Sequence, residues 1–114
     1  GLGSGYFSAR FRVESEIARI QALRAEDRSL VEKTVNQVLE TKVSGTAVEW
    51  RNPDSGSHGK VTPVRTYRSE SGKWCREYTL ITITRDGARQ SRRAIACREP
   101  DGRWKKRAEL YLDS

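Results

Sequence analysis

Two cysteines, one histidine and a surplus of arginine are the residues of this 114-residue chain whose types could do chemistry. Cys75 and Cys97 are too few to hold a zinc ion, and the single His58 adds little as a ligand, so no metal and no cofactor is expected. The spacing of the cysteines points elsewhere. Between them run the strand-like Thr79–Thr84, then Arg85-Asp86-Gly87, then a second strand-like stretch to Ile95. Asp-Gly signals a hairpin, because glycine takes positive φ without steric cost. A hairpin centred on Asp86 sets Cys75 directly opposite Cys97, each eleven residues from the centre. Opposed residues in a non-hydrogen-bonded pair come within disulfide range. Such a crosslink would add roughly 3 kcal/mol, largely through the unfolded chain, and would imply an oxidising compartment. The competing reading is a reduced pair packed as small hydrophobes.

His58 lies in a loop with Asp54, and the two could form a general-base pair. A lone loop histidine is far more often a solvated side chain. The sequence shows no nucleophile elbow, no glycine-rich phosphate loop before a helix and no metal cluster, so an enzyme is not expected.

The formal charge is +7, from 22 Lys+Arg against 15 Asp+Glu. Residues 1–45 contribute +1 of it and residues 46–114 contribute +6, with sixteen arginines against six lysines. Arginine forks pair bidentately with phosphate and carboxylate. Among the aromatics Trp50, Tyr67, Trp74, Tyr78 and Trp104, several neighbour arginines, an arrangement suited to stacking on rings while holding an anion. Trp50, Arg51, Arg76, Tyr78, Arg98, Arg103 and Trp104 form the candidate binding face. Cross-strand and core packing is the ordinary use of such aromatics, and a solvated sheet face the ordinary use of such charge.

These residues need elements to position them. Phe7, Phe11, Val13, Ile17, Ile20 and Leu23 recur at three- and four-residue steps, which predicts a helix over 6–25. Ser29-Leu-Val-Glu32 fits a capping box and Leu30, Val31, Val35, Val38 and Leu39 continue an apolar stripe, with Gly45 as a stop. The stripe changes phase around Arg24–Arg28, where the helix either breaks or turns its face. Beyond Gly45 the grammar is that of strands: Thr46–Asn52, His58–Tyr67, Lys73–Thr84, Ala88–Arg98 and Arg103–Leu112, joined by Gly-bearing turns, with Pro63 marking an edge or a bulge. The expected fold is α+β, an N-terminal helix (or two) packed on a five-stranded antiparallel meander sheet. Residues 1–28 read as a helical arm or juxtamembrane stalk and 29–114 as the helix-plus-sheet domain. On the central strand Trp74, Tyr78 and Leu80 point one way and Cys75, Glu77, Ile81 and Ile83 the other. Glu77 needs a partner on a neighbouring strand, with Arg93 or Arg98 in reach. No apolar run approaches the ~20 residues of a membrane helix.

Glu49-Trp-Arg-Asn-Pro-Asp-Ser-Gly56, Gly59-Lys-Val-Thr-Pro63, Thr66-Tyr-Arg68, Cys75-Arg-Glu-Tyr78 and Ala96-Cys-Arg-Glu-Pro-Asp-Gly-Arg-Trp104 stand in that order. Over about residues 47–104 they closely resemble the C-terminal domain of the rickettsial 17-kDa surface antigen family, bacterial outer-membrane lipoproteins. The resemblance implies an exported Gram-negative envelope protein, with no catalytic role to carry over and the two cysteines as its disulfide. Family members usually carry a lipoprotein signal and a glycine-zipper segment before this domain. Residues 6–41 do not match a glycine zipper, and a membrane tether upstream of Gly1 is an expectation.

The expected function is a non-catalytic cell-envelope module, on the periplasmic side of either membrane or at the cell surface. It would bind an envelope component or a partner protein through the basic, aromatic face, with the helical arm as tether or homodimer contact. One alternative is a small-ligand binder or degenerate enzyme with a cavity between helix and sheet. The other is a nucleic-acid-binding module, which the expected disulfide argues against, so no nucleic acid partner is expected.

Overall fold

The computed structural model describes residues 2–112, with side chains from Arg12 onward, so Phe7 and Phe11 of the predicted stripe lie outside the described side chains. One helix, α1 (Leu2–Thr41), precedes five strands: β1 (Val48–Arg51), β2 (His58–Arg68), β3 (Trp74–Ile83), β4 (Arg89–Arg98) and β5 (Trp104–Leu112). The strands form one antiparallel sheet in sequence order. The α+β meander expected from the sequence is what the chain adopts.

Helix α1 is unbroken. From Tyr6 to Ser44 the sequence has neither glycine nor proline, and it is rich in Ala, Arg, Glu, Gln and Leu, all good helix formers. Ser29 and Glu32 therefore lie inside the helix, where the capping box expected of them has no free end to cap. Nor does the stripe turn: Arg24 interrupts it, but Val31, Val35 and Val38 return to the azimuth of Val13, Ile17 and Ile20. The helix closes with Lys42 N donating to Val38 O at 2.8 Å, and Gly45, at φ 93°, turns the chain towards β1 while donating to Pro63 O.

Three of the turns share one design. Thr84 accepts from Gly87 N and donates to Ala88 O, and Ser69 and Glu99 repeat both bonds in their own hairpins. Each is a three-residue loop ending in a glycine at positive φ. A loop of three residues centres a hairpin on a residue rather than between two, which is why β3 and β4 pair symmetrically about Asp86.

The C-terminal half of α1 lies on one sheet face and makes the core with it. Val35, Val38, Leu39, Trp50, Val61, Tyr78, Leu80, Ala94 and Ala96 are buried there, with Val31, Val48 and Trp104 packed around them. Gly59 is required at this contact: a Cβ on it would collide with the Ile81 carbonyl and approach Trp50 Nε1 at 2.8 Å. Asp27 fastens the helix to the β1–β2 turn, its Oδ1 accepting from Asn52 Nδ2 and Ser55 Oγ, both at 2.7 Å. Residues 12–22 are exposed, and the molecule measures 67 × 29 × 24 Å because the helix runs on past the sheet.

Pro63 marks a bulge. The β2–β3 register slips between Pro63 and Arg65, leaving Val64 outside the ladder. The slip changes the parity of β2, so Thr66 and Arg68, opposite Arg76 and Trp74, join the helix face.

Candidate functional site

The helix face ends in a row that the register assembles from four strands. Arg68 of β2 pairs with Trp74 of β3, and Arg98 of β4 pairs with Trp104 of β5. The adjacent pair, Cys75 and Cys97, sits directly opposite across β3 and β4 and is disulfide-bonded, with Cα atoms 4.0 Å apart. The crosslink therefore pins the two central strands one residue from the row. Both cysteines are buried on the face away from the helix.

The last turn of α1 comes down onto this row. Glu40 accepts from Arg98 Nη2 at 3.1 Å and from Trp104 Nε1 at 2.9 Å. Asn36 Oδ1 accepts from the Trp104 backbone N–H at 2.9 Å. Beneath them Arg76, only 7% exposed, donates through Nη1 to Leu39 O at 2.7 Å and more weakly to Val38 O at 3.4 Å. The closing carbonyls of a helix lack intrahelical donors and carry its negative dipole end, so a guanidinium answers both needs. Burial pulls the Arg76 pKa below its ordinary value. Its Nε has no hydrogen-bond partner.

Between the helix end and the row lies a cleft of about 470 Å³, lined by Trp74, Trp104, Arg76, Arg98, Lys42 and Thr66 among others. Trp74 is 48% exposed, and the Arg68 guanidinium sits 4.6 Å from its ring centroid. Two indole faces and three cations against the single carboxylate of Glu40 can take an anion that carries a ring.

The candidate face drawn from the sequence separates into three places. Arg76, Arg98 and Trp104 meet at the cleft. Trp50 and Tyr78 are core residues, at 5% exposure each, and present no surface to a ligand. Arg51 stands at the far end of the sheet opposite His58, and Arg103 is exposed beside the β4–β5 turn. Trp74 completes the cleft, as do Glu40 and Lys42. Arg68 joins the row, over the Trp74 ring, through the bulge, whose only signal in the sequence is Pro63. Glu77, on the open face, pairs with Arg65 and Arg93, while Arg98 turns to Glu40. The two members of the possible general-base pair sit on different elements, Asp54 in the β1–β2 turn and His58 on β2. The Asp54 carboxyl lies against Glu26 of the helix, whose pKa it raises, and His58 begins β2. Among the described residues no three His, Cys, Asp or Glu side chains group as a metal site.

A single helix crossing one face of a disulfide-stapled antiparallel meander, with an arginine–tryptophan cleft at the helix end, defines the class: a small α+β domain. Residues 37–105 match the family described as 17 kDa outer membrane surface antigen, and the chain belongs to that family. It is 53% identical over 79 residues to the 17 kDa surface antigen of Rickettsia felis, 51% to that of Rickettsia prowazekii and 47% to that of Rickettsia bellii. Each alignment covers 69% of this chain and 49% of the relative, so the chain spans about half the length of the curated relatives it matches. No solved structure matches. The resemblance read from the sequence is thereby established, and it makes this a protein of a bacterial cell-envelope family.

Proposed function

We propose that this domain is a non-catalytic recognition module of the cell envelope, facing the periplasm or the cell surface, and that its ligand is an acidic sugar of the envelope held in the Trp74–Trp104 cleft. The observation that carries the reading is the Arg68–Trp74, Arg98–Trp104 row. Alternating cations and indole faces at one level of a sheet match a carboxylated or phosphorylated sugar, whose ring stacks on the indole while its anion pairs with arginine. The buried, half-satisfied Arg76 behind the row adds positive potential without exposing itself. The envelope setting is supported by the family and by the disulfide, which persists in oxidising compartments. Val38 and Val61, both at 0% exposure, fill the space between helix and sheet, which supports a binding site at the helix end rather than inside the fold.

Tryptophan fluorescence tests this directly, since Trp74 and Trp104 line the cleft. Titration with N-acetylmuramic acid and with glucosamine 1-phosphate is expected to perturb the emission saturably. Trp74→Ala and Arg98→Ala should each weaken the response by roughly tenfold, the size of one lost stacking or charge-assisted contact. No saturable change with either sugar, or a response indifferent to both substitutions, would remove the cleft from the proposal. Binding of duplex DNA in place of the sugars would favour the nucleic-acid reading.

A further inference from the structure

The exposed half of α1 repeats the pattern of its buried half. Val13, Ile17 and Ile20 are each followed 18 residues later by Val31, Val35 and Val38. Eighteen residues make five turns and return to the same side of the helix. Val35 and Val38 are buried against the sheet with Val31 beside them. Val13, Ile17 and Ile20 are 55%, 49% and 49% exposed, because the helix has outrun the sheet. One continuous stripe is covered over only half its length.

We propose that a second copy of this chain covers the other half, the two arms lying antiparallel with Val13 of each against Ile17 of the other. Charge selects the occupant. Residues 12–28 carry four basic and four acidic side chains, a net of zero, while residues 29–114 carry seventeen and eleven, a net of +6. An anionic lipid surface or a nucleic acid selects a basic face. A face of balanced, interspersed sign suits another face of the same kind.

Shape and charge then select the direction. The sheet lies on the stripe side of the helix, so parallel arms would drive two sheets, each on a +6 domain, into one space. Antiparallel arms put the domains at opposite ends. With Val13 level with Ile17 of the other arm, residue 3 stands level with Asp27, where the β1–β2 turn meets the helix. A two-helix overlap of this length is short of a standard ~1,600 Å² interface, so the dimer is concentration-dependent.

Sedimentation equilibrium on the 1–114 chain with its disulfide intact is expected to show a reversible monomer–dimer equilibrium. Ile17→Glu should weaken it by roughly tenfold or more, while the denaturation midpoint of the sheet domain stays unchanged, because Ile17 touches none of it. Solution X-ray scattering of the dimer is expected to show two lobes at opposite ends of a rod. A monomer at every concentration up to the solubility limit overturns the proposal. So does a dimer indifferent to Ile17→Glu, a particle with its lobes side by side, or arms that bind phosphatidylcholine vesicles without self-associating.

Discussion

Arg76 donates through Nη1 to the carbonyl oxygen of Leu39 at 2.7 Å, a bond from the middle strand of the sheet to the last turn of the helix. It joins the two layers at the point where the cleft opens. Arg76→Met keeps much of the packing but strands both the carbonyl and the helix dipole. It is expected to cost about 2–3 kcal/mol in urea denaturation. Arg76→Lys should recover part of that loss, because one ammonium can reach one carbonyl but not reproduce the planar fork.

The disulfide closes a sequence separation of 22 residues between β3 and β4. Its removal by Cys75→Ser with Cys97→Ser is expected to cost roughly 3 kcal/mol, read as a lower urea midpoint in the absence of reductant. The unsubstituted chain under non-reducing mass analysis should show no free thiol. Because the crosslink is one residue from Trp74 and Arg98, the double variant should also lose sugar-induced fluorescence change before it loses the fold.

Gly59→Ala should be among the most damaging single changes, because the new methyl meets the Ile81 backbone and the Trp50 ring, neither of which can move alone. A loss of about 3 kcal/mol or failure to fold is expected. Gly87→Ala meets nothing within 4 Å and pays only for its φ of 89°, about 1 kcal/mol. Thermal melts of the two variants side by side separate collision from backbone strain.

Stability is expected to be highest from about pH 5 to 10 and to fall on both sides. Burial, with Glu109 nearby, pushes the Tyr78 hydroxyl up to about 12 from an ordinary 10.0. A raised folded pKa gives a contribution that is complete below 10 and lost as pH rises towards 12, worth roughly 2–3 kcal/mol for this shift. The Glu99 carboxyl is held below its ordinary 4.5 by the Lys73 hydrogen bond. Burial works upward on Glu109, but its bond to Lys106 and the charges of Lys106 and Arg92 outweigh it, and it too is lowered. A depressed folded pKa gives a contribution that is present above 4.5 and lost as pH falls below it. Urea midpoints across this range check both limbs, and Tyr78→Phe should flatten the alkaline one.

Local chemistry made the sheet legible from the sequence. Glycine-bearing turns set the strand boundaries, and the Asp86 centre set Cys75 against Cys97, because both depend only on neighbours along the chain. The family blocks from Glu49 to Trp104 fall within the same stretch. The helix was legible too, but not its continuity, since a serine followed by a glutamate looks alike at a helix start and in a helix middle.

What the sequence by itself determined is the set of elements, their order, the hairpin register and the crosslink. Tertiary structure alone decided which sheet face the helix covers. Both faces of β3 are apolar enough to take it, and the choice buried Trp50, Arg76 and Tyr78 while leaving Trp74 open. It also decided the membership of the row, because the bulge after Pro63 inverts the alternation of β2 and brings Arg68 beside Trp74. A two-residue period can be read along a strand. A slip in that period, and the partner that exploits it, exist only once the strands and the helix have met.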